Sequence, residues 1–172
     1  MLYLLDANVL ITAHNTYYPI HVVPEFWDWL IYKASNNQIK VPLEMFEEIT
    51  TGAKKDDLKT WIEKPDTKKA LLLNEEVDRV LVSQVFDKGY GPDVTETEAE
   101  QIGRDPFLIA YGLADVKNRC VVTVEVSALG KKREKRKIPD VCTDFSVQSC
   151  NPFVLYHLLE FSTRWHLGLT LP

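Results

Sequence analysis

The chain has 172 residues, 45% hydrophobic and 26% charged, with a formal net charge of −5. That length and balance give one domain over 1–172 with a proper core, and the acidic excess excludes a protein that coats nucleic acid by bulk electrostatics, though not a local basic patch. No apolar run approaches the roughly 20 residues that span a bilayer, no basic segment precedes the first apolar run, and Cys120, Cys142 and Cys150 lack CxxC spacing, so a cytoplasmic chain with reduced, core-packed thiols and no membrane association is expected.

Leu2 to Leu5 is an unbroken apolar run, as in a strand buried on both faces of a parallel sheet. Asp6 stands where the run stops. There a carboxylate either points into the crevice at the carboxyl ends of the strands or caps the helix that Val9, Leu10 and Ile11 begin. Tyr17 to Pro24 reads as a connection, and Pro24 then opens a helix whose Phe26, Leu30 and Ala34 recur at helical spacing. Gln38 to Val41 is a second short strand. Pro42 opens the helix LEMFEEITT, with Gly52 to end it. Asp56 to Glu63 is an amphipathic helix around Leu58, Trp61 and Ile62, and Asn74 is placed as the cap of a longer helix ending near Lys88. The tract GYGPDVTETEAEQ is a loop containing an acidic helix start. In Asp105-Pro106 the aspartate is read as a cap and the proline as the first turn of FLIAYGLADV. Cys120 to Val126 is the clearest strand. The charged KKREKRK follows, then a last strand near Ser146 to Ser149 and a closing helix from Pro152 to about Arg164.

Strands alternating with helices imply parallel pairing and right-handed crossovers, hence an α/β three-layer α/β/α sandwich with a central, mostly parallel sheet. Such a fold leaves the chemistry open. The chemistry lies in Asp6, Glu48, Asp105 and Glu125, which stand at strand ends or on adjoining helices. If they share one crevice they repel each other without cations, and hard oxygen donors with room for water suit Mg²⁺ or Mn²⁺. A metal there polarises a phosphodiester and activates water. Spacing alone leaves the solvated or capping reading of these acids open.

Taken together, LDANVLI, VPLEMFEEI, GRDPFLIAYGLA and VVTVE resemble the PIN domain in content and order, and IPDVC resembles a subgroup of PIN-like proteins usually classed as a domain of unknown function. The resemblance covers nearly the whole chain. It implies a Mg²⁺- or Mn²⁺-dependent endoribonuclease that leaves 5'-phosphate and 3'-hydroxyl ends. The implied context is the toxin half of a toxin-antitoxin pair, with RNA as substrate, an antitoxin as partner and homodimerisation as a family habit. Carried across by position, Asp6, Glu48, Asp105 and Glu125 are the catalytic metal ligands, with Asn8 and Thr123 as their polar neighbours. Glu48 matches the family's helix glutamate better than Glu44 or Glu47.

Two departures stand out. Glu125 replaces the commoner aspartate, reaching about one methylene further and loosening the hold on a second metal. The KKREKRK insert also puts Asp140 in contention as fourth ligand, behind Glu125. Lys131, Lys132, Arg133, Lys135, Arg136 and Lys137 of that insert are either a solvated loop, a seat for the RNA backbone, or a seat for an acidic antitoxin segment. His14, His21, His157 and His166 have no metal-site spacing, Trp27, Trp29 and Trp61 read as core, and no phosphate-binding glycine loop appears. A haloacid dehalogenase-like phosphatase also begins with a strand-end aspartate, but Asn8 stands where it needs a second one. A non-catalytic RNA- or protein-binding module of the same fold is the remaining alternative.

Overall fold

The computed structural model describes residues 1–51 and 56–168. Those residues build a parallel sheet of four strands, β1 (Leu2–Leu5), β2 (Ile39–Lys40), β3 (Arg119–Val122) and β4 (Gln148–Cys150), in the order β2-β1-β3-β4. Helices flank the sheet in a three-layer α/β/α sandwich, and Leu4, Leu5, Val121 and Val122 are fully buried, which is why the central strands β1 and β3 read as apolar runs without alternation.

The strand order places the site. From β1 the chain goes to β2 on one side, then returns to β3 on the other. The carboxyl ends of β1 and β3 therefore flank the point where the winding reverses, the crevice in which open α/β sheets bind ligands. Leu5 pairs with Val122, so Asp6 and Thr123 are the first residues beyond the paired ends.

The strand expected over 120–126 stops at Val122 because both neighbours turn away: Asp6 caps α1 (Ala7–Thr12), and Asn151 caps α10 (Pro152–Leu158). The final strand starts at Gln148, after Ser146 adopts φ 57°. The closing helix ends at Leu158 rather than near Arg164, since Glu160 takes the left-handed region at φ 55°.

α2 (Pro24–Ser35) begins on its proline and buries Phe26, Trp27, Trp29, Leu30 and Ala34. Trp61, on α4 (Asp57–Ile62), meets Trp27 edge-on at 4.7 Å, so all three tryptophans belong to the core as expected. α3 (Leu43–Thr51) follows β2; the proposed terminator Gly52 lies outside the described residues. The long helix expected from Asn74 starts only at α6 (Arg79–Gln84), continued by a wider helical turn over Val85–Tyr90, and ahead of it stands a helix not foreseen in the sequence, α5 (Pro65–Leu71). Between α5 and α6 the chain touches the sheet edge through a parallel bridge of Leu72 to Val41. The cap is Asp78, which accepts from the Val80 N–H at 2.8 Å.

α7 (Glu96–Ile102) starts with a reciprocal capping box between Thr95 and Glu98. α8 (Asp105–Leu113) packs on β1 and β3. α9 (Ile138–Asp144), unforeseen after the basic tract, packs on β4. Cys120 and Cys142 are buried, Cys150 is half-buried, and all three are free thiols. No helix among the described residues is long and apolar enough to cross a membrane.

Candidate functional site

Asp6 is held from three directions. Its N–H donates to the Val122 carbonyl at 2.9 Å, its Oδ2 accepts from the Thr123 hydroxyl at 2.8 Å, and its Oδ1 accepts from the Asn8 N–H at 3.3 Å. Only 2% of the residue is exposed. Burial pushes its carboxyl up to about 6, with the charges of Glu48 and Glu125 adding to the rise and the Thr123 and Asn8 hydrogen bonds opposing it. Asn8 thus acts through its backbone, while its side chain is exposed. Asp6 caps α1, one of the two roles its position suggested, and its carboxyl lies at the carboxyl end of β1.

Asp105 does not cap α8. Arg104 occupies the boundary position, Asp105 is inside the first turn, and its carboxylate makes no hydrogen bond among the described residues. Burial raises it to about 8, followed by the charges of Asp6, Glu125 and Glu48, with Lys137 pulling the other way. On α3, Glu48 is exposed as a residue, yet desolvation of its carboxyl raises its pKa against the counter-pull of Arg104. The other two acids of that helix point to other work. Glu47 pairs with Arg104 at 2.7 Å, and the Glu44 charge acts on the Tyr111 phenol.

Glu125 lies beyond the end of β3, with both oxygens engaged: Oε1 accepts from Lys137 Nζ at 2.5 Å and Oε2 from the Ile138 N–H at 2.8 Å. Its own N–H donates to the Thr123 hydroxyl oxygen at 3.1 Å. The single Thr123 hydroxyl therefore links Asp6 to Glu125. The four acids come from four different segments, and the charges of Glu48 and Glu125 act on both Asp6 and Asp105.

Asp140 is differently occupied. It is buried and accepts from the Ser127 hydroxyl and, at 2.8 Å, from the Ala128 N–H, two contacts that hold its carboxyl below the ordinary range with help from Arg136. It clamps the loop after β3 onto α9, and the charges acting most strongly on Asp6 and Asp105 are those of the other acids.

The basic tract is partly spent on internal pairs. Arg133 forks onto Glu98 and reaches the Asp93 carbonyl, Arg136 bonds the Gly89 carbonyl at 2.6 Å and pairs with Asp144 at 2.7 Å, and Lys137 holds Glu125. Lys135 reaches Glu134 at 3.7 Å. Lys131 and Lys132 are exposed and enter no ion pair among the described residues.

Among the described residues no group of three or more His, Cys, Asp or Glu side chains is gathered tightly enough to hold a metal as it stands. The donor chemistry nevertheless fits a hard divalent cation: carboxylates only, two of them, Glu48 and Asp105, without a hydrogen-bond partner among the described residues. Sequence reasoning missed one further group. The Tyr90 hydroxyl is buried with no partner, and the charges of Asp105 and Glu125 help to raise its pKa. Nothing in the spacing around GYGPD marks it.

No curated protein and no solved structure matches this chain. A family model described as "Domain of unknown function (DUF4411)" matches residues 3–163. The chain belongs to that family.

Proposed function

We propose that this chain is a PIN-like, divalent-metal-dependent endoribonuclease that hydrolyses RNA phosphodiester bonds. One observation carries the reading: the buried Asp6 and the half-buried Asp105, at the reversal point of the sheet, have carboxyls raised to about 6 and about 8 by desolvation and by the neighbouring carboxylates. Such a cluster is self-repelling until a cation neutralises it, and raised carboxyls in a crevice mark functional sites more often than structural ones.

Asp6, Glu48 and Asp105 would hold Mg²⁺ or Mn²⁺, and the ion, when bound, polarises the phosphoryl group and makes the attacking water more acidic. The Thr123 hydroxyl and Asn8 N–H fix the Asp6 carboxylate in one orientation. Arg104 holds Glu47 away from the cluster. Lys131 and Lys132 offer free cations for the RNA backbone. The toxin role, with an antitoxin as partner, rests on the PIN resemblance.

The test is cleavage of single-stranded RNA by the purified chain in Mg²⁺ or Mn²⁺, with EDTA, Asp6→Asn and Asp105→Asn as controls. The reading expects 5'-phosphate products that vanish in all three controls. Cleavage that persists in EDTA or in both variants refutes it. A non-catalytic binding module is the second reading, favoured by the Glu125–Lys137 pair and by the absence of a ready-made metal cage among the described residues. RNA binding without cleavage in either metal selects it.

A further inference from the structure

Glu125 stands where the four-acid reading puts a metal ligand, yet both its oxygens are filled from within the chain, by the Lys137 ammonium and the Ile138 N–H. The extra methylene of glutamate carries its carboxylate outward to meet them. Lys137 is not a loosely solvated side chain. The residue after it, Ile138, is buried, and three residues on Asp140 ties α9 to Ser127 and Ala128. The loop after β3 and the start of α9 are thus fastened at two points, and Lys137 lies at one of them.

The ammonium contacts Glu125, and its charge also acts on Asp105. Its side chain is 39% exposed, which leaves it reachable from solvent. An ammonium has three donors. One is used on Glu125 Oε1, which leaves two for an incoming oxygen ligand.

We propose that this is a single-metal site in which the Lys137 ammonium takes the place of a second cation, with Glu125 serving to position that lysine and Lys137 donating to an oxygen of the scissile phosphate. The proposal rests on the metal-nuclease reading above and narrows it. With both Glu125 oxygens taken up by Lys137 and the Ile138 N–H, only Asp6, Glu48 and Asp105 are left to hold a cation. As a compact point charge on a flexible stem, lysine suits a phosphate that must enter and leave.

Calorimetric titration with Mn²⁺ tests the metal count, and fluorescence polarisation of a labelled oligouridylate RNA in EDTA tests the phosphate contact without cleavage. The wild type takes up one Mn²⁺ per chain. Glu125→Gln, which keeps an acceptor for the Ile138 N–H, still binds one Mn²⁺ within about fivefold of wild type, whereas Asp6→Asn loses about 100-fold. Lys137→Met binds Mn²⁺ about fivefold more tightly, because the competing ammonium is gone, and binds the RNA about fivefold more weakly. Lys137→Arg restores RNA affinity to within about twofold. Lys135→Met, in the same tract but paired with Glu134, leaves Mn²⁺ affinity unchanged. Two Mn²⁺ ions in the wild type, or a loss in Glu125→Gln as large as in Asp6→Asn, overturns this proposal and spares the metal reading. No Mn²⁺ uptake by the wild type overturns both.

Discussion

Replacing Asp105 with asparagine should stabilise the metal-free protein, and more so as the pH rises. The carboxylate makes no hydrogen bond among the described residues, so the change removes charge with little loss of contact. Raised from its ordinary 3.8 to about 8, the group holds its proton more tightly in the native chain than in the unfolded one. Stability therefore falls as pH rises through 3.8, and the penalty is complete above about 8. At about 1.36 kcal/mol per pH unit the full penalty is about 5–6 kcal/mol, of which about 4 develops between pH 5 and pH 9. Movement of the exposed Glu48 and of Lys137 trims that, leaving an expected difference of about 2–4 kcal/mol. Urea unfolding in EDTA at pH 5, 7 and 9 measures it: the gap between Asp105→Asn and wild type should widen with pH, and Mn²⁺ should restabilise the wild type but not the variant. Parallel stability profiles for the two proteins would mean that Asp105 carries no such burden.

Thr123→Val keeps the buried volume but removes the hydroxyl that serves both Asp6 and the Glu125 N–H; it should cost about 1–3 kcal/mol in urea unfolding and raise the Asp6 carboxyl further, and stability equal to wild type would show that the hydroxyl bridges nothing. Asp140→Ala releases Ser127 and Ala128 and should cost about 1–3 kcal/mol while Mn²⁺ affinity by calorimetry stays as it was; a matching loss of Mn²⁺ affinity would restore Asp140 as a ligand. Gly112→Ala puts a Cβ 2.7 Å from Val147 Cγ1 and 3.0 Å from Val121 Cγ2, an overpacking that should lower stability by about 1–3 kcal/mol in thermal melts; an unchanged melt would show that β4 shifts freely beneath α8.

The elements around the site were the ones most plainly written in the sequence. LYLLD shows both a strand buried on two faces and the carboxylate at its end, because a parallel sheet suppresses alternation and its last residue faces the crevice. Proline marked the starts of α2, α8 and α10 correctly. Elements decided by tertiary context were less visible. Asn74 looked like a cap, but Leu72 is drawn to the sheet edge beside Val41, which delays the helix until Asp78. α9 follows six basic residues whose charges suggested an open loop, and partners distant in sequence fasten it and the tract before it: Glu98, Gly89, Glu125, Ser127 and Ala128. Position placed Glu125 beside the other acids, while its commitment to Lys137 depends on a loop closure of 12 residues that no local pattern encodes. Tyr90 was equally hidden, since its place among the acids comes from the fold around Gly89 and Val141.

The most direct test of the shared metal centre is a crystal of the protein soaked in Mn²⁺ and measured for anomalous scattering. The account predicts a peak at the carboxyl ends of β1 and β3, about 2.0–2.5 Å from carboxylate oxygens of Asp6 and Asp105, that disappears in Asp6→Asn. A well-ordered crystal with Asp6 and Asp105 turned from each other, or with Mn²⁺ bound only elsewhere, would contradict it.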